Sequence, residues 1–221
     1  MKTLWERLYI VKRNQTQMLL RRGYTLSDAA VMDMSYEDFY KYYSQLLIDQ
    51  GKTEEDLCTV LNTEIEDPSK IFVWYIHTQG KDVPIEDVRI FLDHITGKDG
   101  TTVFKHSILI SNQKLGAKPS QTLEAMPLFE VEHFTYDELS YDPTSHFLAS
   151  KHTRLSIDET KHFLKENKIL LSQLPTIYDK DPIVKYYNYH IGDLIFIERN
   201  SLIGFVPEHS ICYRLVVRAT R

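Results

Sequence analysis

A chain of 221 residues, 43% hydrophobic and 26% charged, carries enough apolar material to bury a core and suits one large domain or two smaller ones. Its two cysteines, Cys58 and Cys212, exclude a disulfide framework and a cysteine-based zinc site, so a reducing compartment is the default. The net charge of −5 is segregated: six Lys/Arg against one acid over residues 1–22, nine against 22 over residues 23–143, and eleven against eight over residues 144–221, so the acidic body makes a poor autonomous DNA binder and any nucleic-acid contact must be local or delegated to partners.

The N-terminus has early charges and no apolar core of signal-peptide length, and no apolar run approaches the roughly 20 residues that cross a bilayer. A soluble, intracellular protein is expected. Residues 2–22 set Leu4, Leu8, Val11, Met18 and Leu19 near one helical face, with Arg7, Lys12, Arg13, Arg21 and Arg22 around it, and Gly23 stops the helix. The spacing predicts an amphipathic helix docked on its own domain, with a basic face toward DNA as the sharper alternative. A second helix is predicted from Ser35 to about Gln50, its Glu37 and Asp38 placed where the helix dipole favours them. Its aromatic residues Tyr36, Phe39, Tyr40, Tyr42 and Tyr43 read as packing. Gly51-Lys52-Thr53 imitates the end of a phosphate-binding loop, but the required earlier glycine is Leu46, which excludes nucleotide binding there.

From Leu57 the pattern alternates. Strands are predicted at Leu57–Leu61, Ile71–Ile76, Ser107–Ser111 and Leu128–Phe134, and helices at Pro84–Ile95 and Pro119–Met126. Interleaving of this kind implies an α/β layer whose sheet is at least partly parallel. Thr135–Thr144, with Asp142-Pro143, reads as a short hinge. Beyond it, Ser156 with Glu159 forms a capping box, and Pro175 ends a helix. Asp181 followed by Pro182 opens a short helix, Gly192 punctuates, and strands are expected at Asp193–Arg199 and Ile211–Arg218 with a turn at Gly204 between them.

Catalytic patterns are missing. A metal-dependent nuclease needs an acid after a proline and a Glu-x-Lys on a strand, whereas Glu159-Thr160-Lys161 and Glu166-Asn167-Lys168 fall in a helical segment. The nine histidines include no His-x-x-x-His, and no Gly-x-Ser-x-Gly elbow occurs. No catalytic residue, metal ligand or cofactor is assigned.

The order of residues toward the C-terminus is more specific than any single piece. Gln173-Leu174-Pro175, Asp181-Pro182, Tyr186, Gly192-Asp193, Arg199-Asn200-Ser201 and Tyr213-Arg214 follow in sequence, preceded by His146-Phe147-Leu148, Lys151-His152 and Leu155-Ser156. This stretch resembles the C-terminal assembly domain of the fifth subunit shared by eukaryotic RNA polymerases I, II and III, which has a counterpart in the archaeal RNA polymerase. Arg22-Gly23-Tyr24, Phe72-Val73, Ile108-Leu109-Ile110 with Asn112-Gln113, and Gln121-x-Leu123 before Met126 look like the eukaryote-type N-terminal jaw domain. The chain diverges at Lys185-Tyr186-Tyr187-Asn188, where the family has Arg-Tyr-x-Gly, at Leu202-Ile203-Gly204, and at Gly116-Ala117-Lys118-Pro119, where a Thr-Pro-Ser-Ala loop is usual.

The resemblance implies an α+β protein with a jaw domain at residues 1–143 and a smaller assembly domain at residues 144–221. It implies a non-catalytic subunit that docks on the largest polymerase subunit and lies beside downstream duplex DNA. By family position, His152, Asp181, Pro182, Tyr186, Gly192, Arg199, Tyr213 and Arg214 form the subunit interface; at the divergent loop, Lys114 and Lys118 are the DNA-proximal candidates as local positive charge on an acidic body, not by family position. The nucleus is implied for a cellular protein, and the cytoplasm or virion for one encoded by a large DNA virus. A free-standing adaptor that keeps the assembly fold and a divergent metal-dependent nuclease are the alternatives from other classes.

Overall fold

The computed structural model describes residues 3–26, 31–65, 69–98, 103–146, 149–200 and 209–219. The chain divides into two compact units, residues 1–141 and 142–221. Both combine helices with a four-stranded sheet, which makes the protein α+β.

The first unit begins with α1 (Leu4–Arg21). Thr3 and Glu6 form a reciprocal capping box at its start, and Gly23 at φ 90 supplies the left-handed turn that ends it. Leu8, Val11, Met18 and Leu19 are buried, as the helical stripe predicts. Lys12 is not on an outer basic face: it is 1% exposed, and its ammonium donates to the Leu61 carbonyl at 3.1 Å and to the Thr63 hydroxyl. Its charge is spent on buried acceptors, which is how a lysine can lie within a core.

In α2 (Tyr36–Asp49), capped by Ser35, Phe39 and Tyr43 are buried while Tyr40 and Tyr42 remain exposed. The strand expected at Leu57–Leu61 is instead the helix α3 (Leu57–Leu61), which continues from a 3-10 turn at Glu54–Asp56. Its buried residues, Leu57, Cys58 and Leu61, follow helical spacing, and an apolar run of this length is too short to reveal its period in the sequence.

The sheet of this unit has the order β1 (Thr63–Ile65), β2 (Ile71–Ile76), β3 (His106–Ser111), β4 (Glu130–Thr135). β1 pairs antiparallel with β2, and β2, β3 and β4 run parallel. Parallel strands need crossovers, supplied here by α4 (Ile85–Ile95) between β2 and β3 and by α5 (Ala117–Glu124) between β3 and β4. Phe72 and Ile76 pack with Val88, Phe91, Leu92 and Ile95 of α4. On the opposite face Tyr75 reaches α1, its hydroxyl donating to Gln15 at 3.0 Å. Covered on both faces, β2 needs a continuous apolar run rather than an alternating one.

Helix α5 starts at Ala117 rather than Pro119. Gly116 is its extended N-cap, and Pro119 lies in the first turn, where an N–H has no intrahelical acceptor to lose. The segment read as a hinge is largely part of the first unit. Tyr136 and Leu139 are buried, and Tyr136 donates through its hydroxyl to Ile76 O at 3.0 Å and through its N–H to Ser111 O at 2.8 Å.

The second unit has the sheet order β5 (Lys151–Arg154), β7 (Leu194–Asn200), β8 (His209–Val217), β6 (Thr176–Tyr178). β5 and β8 pair antiparallel with β7, and β6 runs parallel to β8. The four-residue β5 and three-residue β6 add to the two strands expected here, because neither is long enough to show alternation in the sequence. Helix α7 (Pro182–Tyr187) covers one face, where Val184 packs with Ile177, Ile195, Ile197 and Val216. Helix α6 (Ile157–Asn167), opened by the predicted Ser156–Glu159 capping box, meets the other face through Phe163. Phe147, Leu148, Ser201 and the expected turn at Gly204 lie outside the described residues.

Candidate subunit interface

The site is framed by α7. The Asp181 carboxylate accepts the Ile183 N–H at 2.9 Å, and Pro182 follows at the first helical position. The helix ends on Asn188 at φ 54, ψ 48, a left-handed cap that asparagine tolerates in place of glycine. The turn is therefore retained despite the sequence departure there. Tyr189 then folds back, and its hydroxyl donates to the His152 carbonyl at 3.1 Å, tying β5 to the end of α7. Burial pushes the Tyr189 phenol up to about 12, so it remains a donor over the physiological range. The His152 ring donates through Nδ1 to Ser150 O at 2.8 Å. Gly192, at φ 97, donates its N–H to Val216 O at 2.9 Å, closing the loop between α7 and β7 in a backbone conformation that disfavours a side chain.

Strand alternation and register set the remaining residues. Arg199 and Arg214 lie on the α7 side of the sheet, in the alternation that includes Ile197, Cys212 and Val216. Arg214 Nη1 reaches Thr176 O at 3.4 Å. Since Pro175 O and Asp179 N–H point inward to β8, the Thr176 and Tyr178 carbonyls point to the outer edge of β6. The Asp181 N–H occupies the Tyr178 carbonyl at 3.0 Å. Tyr213 lies on the opposite face, stacked on Phe163 at 4.0 Å between ring centroids and tilted against Phe196 at 5.3 Å.

The structure thus gathers His152, Asp181, Pro182, Tyr186, Arg199 and Arg214 on one side of the second unit, places Gly192 in the adjoining loop and separates Tyr213 from them. Within this group the roles differ. Tyr186 is 3% exposed and supports α7 from beneath, so its ring does not present a surface to a partner. Asp181, Pro182 and Gly192 shape the backbone; His152 is half-buried and Arg199 exposed. Sequence reasoning missed Phe163, because a single aromatic residue in a polar helix does not disclose its partner 50 positions later.

In the first unit, Lys114 and Lys118 are exposed around the start of α5, beyond the C-terminal end of β3. Asn112 braces that end: its side chain accepts from Thr78 N at 2.9 Å and donates to Thr78 O at 2.6 Å. Elsewhere in this unit, Arg22 grips Glu132 with two hydrogen bonds, at 2.7 and 2.8 Å. His106 Nε2 approaches the same carboxylate at 2.8 Å, while Tyr24 OH lies 3.2 Å from His106 Nδ1. Burial pushes the Glu132 carboxyl up, but the Arg22 charge and the bonds from His106 and Arg22 outweigh it and hold it below its ordinary value. Among the described residues, no group of three or more His, Cys, Asp or Glu side chains could hold a metal ion, and no helix is long and apolar enough to cross a membrane.

The family model described as RNA polymerase Rpb5, N-terminal domain, matches residues 3–95, and that described as RNA polymerase Rpb5, C-terminal domain, matches residues 141–216. The chain belongs to the Rpb5 family, and its association with other RNA polymerase subunits follows from that membership. Among similar proteins, the Caenorhabditis elegans DNA-directed RNA polymerases I, II, and III subunit RPABC1 is 25% identical over 213 residues, covering 96% of each chain. The Arabidopsis thaliana DNA-directed RNA polymerase V subunit 5A is 27% identical over 213 residues, 95% of this chain and 88% of that one.

Proposed function

We propose that this chain is a non-catalytic structural subunit of a DNA-dependent RNA polymerase. Its second unit is the assembly domain and docks on the largest subunit; its first unit is a jaw domain beside downstream duplex DNA, with Lys114 and Lys118 nearest the phosphates. Nucleotidyl transfer belongs to other subunits, and the nucleus is the site of action for a cellular protein. The observation that carries this reading is the ordered match of the two family models, one within each compact unit. The rigid α7 framework supports it, because capped helices and paired strands hold interface side chains in place at little entropic cost.

A tagged chain recovered from its native source through a high-salt wash should carry the two large polymerase subunits in stoichiometric amount, and the eluate should support promoter-independent transcription. Recovery alone, or with unrelated proteins, would overturn the proposal in favour of an adaptor. Arg214→Ala should reduce recovery of the large subunits by roughly ten-fold, as expected for an arginine anchor. Because Arg214 also contacts Thr176 O, thermal unfolding of the same variant separates interface loss from fold loss. Undiminished recovery removes Arg214 from the interface.

A further inference from the structure

Helix α6 differs from the other long helices. It is amphipathic, yet none of its residues is buried, and its aromatic contact with the sheet is the Phe163–Tyr213 stack. Beside that stack lies a groove of about 420 Å³ between helix and sheet. Leu155, Phe163 and Tyr213 make its apolar floor, and Asp158, Glu159, His162 and Glu166 form its rim. Ile211, on the same strand face as Tyr213 and 60% exposed, extends the apolar surface.

The rim is acidic, and among the described residues no lysine or arginine lines the groove. Lys161 meets Asp158 from outside it at 3.6 Å, and His162 Nδ1 lies 3.3 Å from Glu166. The Glu159 carboxylate accepts the Ser156 N–H at 2.7 Å. Asp158 and Glu166 are well exposed, so their contacts are weak surface pairs that a partner can replace. A carboxylate rim above an aromatic floor suits a guanidinium, whose plane stacks on a ring while its edge donates to carboxylates. The same rim repels phosphate, which excludes nucleic acid and anionic lipid as occupants.

We infer that this groove docks an arginine-bearing, otherwise apolar segment of another RNA polymerase subunit. The inference rests on the proposed assembly role and specifies a second contact, on the sheet face opposite α7. It gives Tyr213, the one predicted interface residue on that face, a role in the aromatic floor of the groove, stacked beneath Phe163.

The test uses the full tagged chain in its native source. Asp158→Arg combined with Glu166→Arg should leave the melting temperature of the free chain unchanged, since both side chains are exposed, and should reduce recovery of polymerase subunits after a salt wash by at least roughly thirty-fold. A photo-crosslinking amino acid in place of His162 should capture a peptide of another polymerase subunit that contains arginine. Undiminished recovery of the charge-reversed chain, or capture of a peptide without a basic residue, overturns the inference and leaves the polymerase assignment standing. Failure of the unaltered chain to recover any polymerase subunit overturns both.

Discussion

Glu132 shows how one residue binds distant parts of the first unit. Its side chain is 10% exposed and that of Arg22 5%, so removing the carboxylate charge leaves a buried guanidinium without its counter-ion. Glu132→Gln should lower stability to urea by about 3 kcal/mol at neutral pH. The pH dependence has a definite sign. Because the folded pKa is depressed below the ordinary 4.5, the contribution is fully present above about pH 4.5 and is lost as pH falls through the folded value. The difference in urea midpoint between the unaltered chain and Glu132→Gln should therefore shrink as pH falls below about 4.5; a difference that persists undiminished through strong acid would refute the charge-pair account. None of this network was legible in the sequence, since Arg22, His106 and Glu132 lie far apart and no local pattern pairs them. The burial of Lys12 was illegible for the same reason: periodicity ranks a lysine as surface, and only the Leu61 and Thr63 acceptors explain its place in the core.

At the scale of elements, local chemistry was the most readable. Ser156 with Glu159 and Asp181 with Pro182 each form as their side chains require, because a cap acts within three residues of itself. Short apolar runs were the least readable: Leu57–Leu61 folds as a helix because an uncommitted pentapeptide takes the period of its surroundings. The capping box makes a sharp prediction for α6, which has no buried residue to hold it. Ser156→Ala should cost about 1 kcal/mol locally. Amide-exchange protection over residues 160–167 should fall roughly five-fold while the global unfolding transition stays in place, a pattern expected when a helix opens independently of its core. A concerted drop in both would mean that α6 is integral to the core.

For the whole molecule, charge sets what the first unit can contribute. Residues 23–143 carry nine Lys/Arg against 22 acids, so only local groups can face a phosphate backbone favourably. In assembled polymerase, Lys114→Gln with Lys118→Gln should leave subunit content unchanged and reduce the salt dependence of downstream DNA binding by a slope of about 1 to 2, with no change in sequence preference. An unaltered slope removes these lysines from the DNA path. The candidate interface was only partly legible at this scale: residue order identified the elements that carry it, but the division into two faces, with Tyr213 apart from Arg214, appears only once β8 is paired with β7.

The occupied carbonyls on the outer edge of β6 bear on the life of the chain before assembly. An open edge strand is a template on which copies of one sequence stack into aggregates. Here the Thr176 carbonyl is taken by Arg214 and the Tyr178 carbonyl by the Asp181 amide, so the outward acceptors are occupied from within the same polypeptide. A newly made orphan copy therefore offers its siblings fewer free backbone acceptors along that strand. Selection of a partner then rests more on side-chain shape and charge, which distinguish one protein from another, than on backbone, which does not.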